Sequence, residues 1–103
     1  MFRISVMYPN EKGARFDHDY YKGPHLKLVE EHLKEYGLIK AEADKGISGG
    51  ADQPAPYIGI GYLYFETSDG YDKGIAEKGA LLRGDIPNFT NVTPTRQISK
   101  ILD

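Results

Sequence analysis

The chain has 103 residues, 40% hydrophobic and 27% charged, with thirteen Lys and Arg against fifteen Asp and Glu for a net charge of −2. That length supports one domain with a single modest core; the balanced charge carries no basic stripe for nucleic acid, and no apolar run approaches the ~20 residues of a membrane span. No cysteine is present, which excludes disulfides, thiolate nucleophiles and Cys-based metal sites.

The first residues, MFRISVMYP, show neither a charged leader followed by an apolar block nor a cleavage pattern, so a cytoplasmic location is expected. From Phe2 to Tyr8 the residues alternate, with Phe2, Ile4, Val6 and Tyr8 on one side and Arg3, Ser5 and Met7 on the other. This is a strand with one apolar face, and Pro9 ends it because proline has no N–H for a ladder. Asn10 to Arg15 is polar and reads as a surface loop.

Phe16 to Gly37 reads as one amphipathic helix, capped by Asp17 and stopped by Gly37. At about 100° per residue, Tyr21, His25, Leu28, Val29, His32, Leu33 and Tyr36 share the inner side. Gly23-Pro24 predicts a kinked first turn or a short turn before the main helix at His25. Leu38 to Ile47 is a weak strand, and Ser48 to Pro56 a loop. Tyr57 to Glu66 is the strongest strand, apolar on both faces. Its Gly59 and Gly61 leave a patch of bare backbone against which another group can lie.

A second helix is expected over Asp69 to Arg83, capped by Thr67 or Ser68, with Tyr71, Ile75, Gly79 and Leu82 as its inner stripe. Gly84 is its expected C-terminal cap. Asp85 to Val92 reads as irregular or a very short strand, with Asp85 to Thr90 structural, and Thr95 to Leu102 as the last strand. Strand, helix, strand, strand, helix, strand is the ferredoxin-like α+β plan: a four-stranded antiparallel sheet with two helices on one face. Its second sheet face, apolar on Tyr57 to Glu66, predicts a homodimer joined sheet to sheet.

Several segments together resemble the EthD family: the strand ending in Tyr8-Pro9, Phe16-Asp17 with Tyr20-Tyr21, His25 in the helix, and Asp85-Ile86-Pro87-Asn88-Phe89-Thr90. One departure is that Leu26-Lys27-Leu28 follows the histidine, with Pro24 before it. The resemblance spans nearly the whole chain and implies a dimeric α/β barrel, in which two ferredoxin-like protomers join their sheets. Its relatives include polyketide cyclases, cofactor-free monooxygenases, muconolactone-type isomerases and structural or stress-related members, so it implies fold more narrowly than chemistry. EthD proteins are associated with ethyl tert-butyl ether degradation.

His25 is the leading catalytic candidate, because an imidazole serves as acid or base near neutral pH. Tyr20 or Tyr21 could donate to a carbonyl or enolate oxygen. Ligand contacts are expected from His32, Leu28, Gly59, Gly61, Phe65 and Ile75, in a pocket between the first helix and the glycine patch. The plainer reading makes the same residues core or interface groups, with each imidazole bonded to main chain. His18 is expected to be solvated. His25 and His32 lie ~10 Å apart along a helix, too far to share an ion readily, so no metal is expected. Gly46 to Gly50 lacks the lysine of a phosphate loop. The function expected is a small cofactor-independent isomerase, cyclase or oxygenase acting on a hydrophobic aromatic, lactone or polyketide-like molecule. The alternative is a non-catalytic dimeric binding or accessory protein of an ether or xenobiotic degradation pathway.

Overall fold

The computed structural model describes residues 1–103. Its sheet contains β1 (Phe2–Pro9), β2 (Leu38–Lys45), β3 (Tyr57–Phe65) and β4 (Thr95–Lys100), all antiparallel in the order β2-β3-β1-β4. Helical segment α1 (residues 18–36) and helix α2 (Ser68–Gly84) cover one face. This is the ferredoxin-like fold, reached because both central strands carry an apolar parity. Ile4 stands opposite Leu63 on β3 and Ile98 on β4, and Val6 opposite Gly61 and Arg96. Ile4, Leu33 and Phe65 are wholly buried between the layers.

Segment α1 starts as the sequence dictates: the Asp17 carboxylate accepts the Tyr20 N–H at 3.0 Å. Gly37, at φ +98°, ends it in the left-handed conformation that a side chain resists. Between these ends the Gly23-Pro24 break is absorbed without leaving the helix. Tyr21–His25 form a π turn, in which the Leu26 N–H reaches the Tyr21 carbonyl five residues back. The wide turn accommodates a proline that cannot donate and whose ring crowds the preceding turn.

The extra residue also rotates everything after it. The face that begins with Tyr21 and His25 continues through Leu26, Val29 and Leu33, all buried. Leu28 and His32, expected on that face, are turned half outward. A uniform 100° step does not hold across a π turn, and this corrects both placements.

Helix α2 is capped by the Thr67 hydroxyl, which accepts the Gly70 N–H. Tyr71 and Leu82 are buried, Ile75 is half-buried, and Gly74 lets Leu33 and Tyr36 pack directly against the helix backbone. Gly84 is not the expected cap. The right-handed conformation continues through Asp85 (φ −85°, ψ −17°) into a 3-10 turn, Ile86–Asn88. The last strand stops at Lys100, short of the expected Leu102.

On the sheet's outer face Ile58, Ile60, Tyr62 and Tyr64 are half-buried. By strand parity the face also carries Lys40, Glu42 and Asp44, and the Lys40 ammonium sits 4.7 Å from the Tyr64 ring centroid. His18 is not solvated as expected. It is half-buried, and its Nε2–H donates to the Ile58 carbonyl at 2.9 Å, tying the start of α1 to β3.

Candidate active site

His25 closes the π turn and is only 6% exposed. Its ring lies between Tyr21, stacked at 5.4 Å and 17°, and Phe89 at 4.6 Å. Its Nδ1 is 2.9 Å from Asp85 Oδ2. Asp85 is fixed in turn on its other oxygen, which accepts from the Tyr20 hydroxyl at 2.8 Å and from the Asn88 side-chain amide at 2.9 Å. The 3-10 turn supplies both Asp85, at its start, and Asn88, at its end.

Burial pushes the His25 pKa below its ordinary value, and the Asp85 carboxylate opposes that push without overcoming it. Burial would raise Asp85, but hydrogen bonds from His25, Asn88 and Tyr20 prevail and hold it below the usual carboxylate range. At neutral pH the pair is therefore a neutral imidazole and a carboxylate. A carboxylate only accepts, so Nδ1 carries the proton and Nε2 keeps its lone pair.

His25 borders a partly open cavity of about 120 Å³ between α1, α2 and the sheet. Its apolar wall includes Val29, Leu33, Leu63, Ile75 and Leu82. Tyr8, Tyr21 and Tyr71 also line it. Burial pushes the Tyr8 hydroxyl up to about 12 and raises those of Tyr21 and Tyr71, so all three remain neutral donors. Arg83 and Arg96 complete the polar lining.

No family model matches the chain, and no curated protein sequence does. Among solved structures it is similar to an EthD-like protein from Ralstonia eutropha JMP134, at 30% identity over 99% of this chain and 92% of that one, with a TM-score of 0.92. The chain belongs to the EthD family. An EthD family protein from Bacillus halodurans C-125 matches at 15% identity, over 99% of both chains, with a TM-score of 0.73. A monooxygenase from Streptomyces coelicolor, ActVA-Orf6, in complex with nanaomycin D, shares the fold at 18% identity and a TM-score of 0.59, over 99% of this chain and 88% of that one.

In this EthD protein the residues singled out from sequence divide sharply. His25, Tyr21 and Ile75 line the cavity. Tyr20 does not; its hydroxyl is engaged by Asp85. Leu28 and His32 lie outside because of the π turn, and Phe65 is sealed in the core against Tyr71. The bare patch on β3 is already occupied. A Cβ on Gly59 would stand 2.9 Å from the Phe16 ring, and one on Gly61 would collide with the Tyr21 hydroxyl. The glycines admit aromatic side chains of the same chain and form no part of the cavity wall.

Asp85, Arg83 and Arg96 were missed. Asp85 follows α2 directly, but nothing local shows that it meets a histidine 60 residues earlier. The arginines did leave a signal. Arg96 shares the strand parity of Ile98, and Arg83 lies one turn beyond Gly79 on the inner stripe of α2. A charge that interrupts an apolar stripe is the informative exception to the pattern, and both side chains reach the cavity while staying exposed.

Proposed function

We propose that this EthD protein is a small cofactor-independent enzyme acting on a hydrophobic small molecule, with His25 as its acid/base. The observation that carries the reading is a buried imidazole at the wall of an apolar cavity, with Nδ1 held by a carboxylate and Nε2 left for a ligand. An imidazole with a purely packing role is more commonly bonded to main chain. The cavity approaches the size of an apolar void of about 150 Å³ that holds benzene, so one small ring fits. Isomerisation, aldol-type cyclisation and oxygenation of an enolisable substrate share a first step. In it Nε2 takes a proton from the carbon beside a carbonyl, the C–H electron pair passes into an enolate, and a neutral tyrosine hydroxyl donates to its oxygen. The nanaomycin D complex of the Streptomyces coelicolor monooxygenase adds support at the level of fold alone.

The test is exchange of substrate C–H for deuterium in D2O, followed by NMR over a panel of small cyclic ketones and lactones. His25→Ala is expected to slow exchange by about 10²–10⁴-fold while the chain stays folded by circular dichroism. Undiminished exchange in that variant would remove His25 from the chemistry. The packing of His25 between Tyr21 and Phe89 favours a second reading, a binding or accessory protein in which the imidazole only orients a ligand. Ligand binding without any exchange in the wild type selects it.

We further infer that two copies meet through the outer sheet face, where Ile58, Ile60, Tyr62 and Tyr64 form an apolar row. Sedimentation should give the mass of two chains, falling to one in Tyr62→Glu; a monomeric wild type overturns this.

A further inference from the structure

The cavity has an uncompensated charge. Eleven of its fifteen lining residues are hydrophobic, and the other four are His25, Gly79, Arg83 and Arg96. No carboxylate is among them. Nor is either arginine paired elsewhere, since the ion pairs of the chain are His25 with Asp85 and Lys40 with Glu42. Two permanent cations therefore border an apolar space with no anion of their own, in a chain whose net charge is negative. Both side chains keep contact with water, so the charge stands at the rim of the space, where it can meet an anion.

Each arginine is placed by a specific feature. Arg96 occupies an inward position of β4, opposite Val6. There it lines the cavity together with Tyr8, Tyr21 and Tyr71. Arg83 folds back along α2 over Gly79, where a Cβ would stand 2.7 Å from its Nη1. That glycine weakens the helix by about 1 kcal/mol relative to alanine, and it leaves the guanidinium room to lie against the cavity. Both arginines line the same space, together with Tyr71.

We propose that the ligand of this cavity is a small-ring carboxylate, its ring among the apolar side chains and its anionic oxygens held by Arg83 and Arg96. A planar guanidinium fork matches the two oxygens of a carboxylate, and such charge-assisted bonds are stronger than neutral ones. The inference rests on the proposed use of the cavity for a ligand and narrows it to acids, whatever role His25 has.

Titration calorimetry with benzoate and with benzamide, which has a similar shape and no charge, tests it. Benzoate is expected to bind at least about tenfold more tightly, with affinity falling as salt rises. Arg83→Gln/Arg96→Gln is expected to abolish the preference. Equal binding of the two probes, or a preference that survives in the double variant, overturns the anion assignment and leaves the cavity as a neutral site. Failure of both probes to bind overturns it as well. The wild-type comparison stands even where the double variant folds poorly. Anion recognition is read by calorimetry with unreactive probes and proton transfer by deuterium exchange of neutral ketones, so the failure of one is distinguishable from the failure of the other.

Discussion

One end of the space between helices and sheet is closed by Ile4, Leu33, Leu38, Leu63 and Phe65, and the other by Tyr8, Tyr21, Leu26, Phe89 and Val92. At the first end the side chains need only volume, and Ile4, Leu33 and Phe65 reach zero exposure. At the second the rings meet edge to face, Tyr8 with Phe16, Tyr21 and Phe89 at 5.1, 5.4 and 5.6 Å. Tyr8, Tyr21 and the neighbouring His25 carry hydroxyl and imidazole groups that must find partners when buried. The cavity lies along the seam, with Val29, Leu33 and Leu63 from one end and Tyr8, Tyr21 and Leu26 from the other. The comparison separates two tasks: one end holds the fold by packing, and the other also arranges polar atoms.

Substitutions should reproduce that separation. The largest effect on stability is expected from Ile4→Ala, which empties a fully buried site that is not itself part of the cavity lining. Urea denaturation should record a loss of about 2–5 kcal/mol, with deuterium exchange per folded molecule unchanged. A large drop in exchange would show that the two ends are not independent. Asp85→Asn should do the reverse. Exchange is expected to fall about 10²-fold, because the amide no longer fixes Nδ1 as the protonated nitrogen. The stability change should be smaller than that of Ile4→Ala. Without the carboxylate only burial acts on His25, so the acid limb of the pH–rate profile should move to lower pH.

The smallest effect is on wild-type stability against pH. The folded His25 has a pKa below its ordinary 6.5, so the unfolded chain binds the extra proton first. Stability should be level in this respect above that value and decline as pH falls from it toward the lower folded pKa. Asp85, held below the ordinary carboxylate value, adds a second loss only as pH falls through the carboxylate range. His25→Gln should remove the first decline and keep the second; an unchanged upper slope would assign it to another group.

Much of the fold was legible because its signals are local. The parity of Phe2 to Tyr8, the Asp17 cap and the left-handed Gly37 each act within a few residues. Phase was the first thing lost. Pro24 announced a disturbance, but the answer was an inserted residue that kept the helix and moved Leu26 inward in place of Leu28 and His32. The glycines of β3 did signal close approach, and only tertiary packing decided that Phe16 and Tyr21 would fill it. His25 could be singled out from its type and position. Its partner could not, because a contact between residues 25 and 85 depends on how α2 ends, and Gly84 pointed to a stop where the chain keeps turning.

The carboxylate and the imidazole come from different halves of the topology, His25 from β1-α1-β2 and Asp85 from the end of α2 in β3-α2-β4. Their bond works as a clasp across the pseudo-repeat. A fluctuation that parts the two helices unfastens it without unfolding either half. Turnover, or any signal from that imidazole, is thus a gauge of inter-half docking and should register loosening before the secondary structure does.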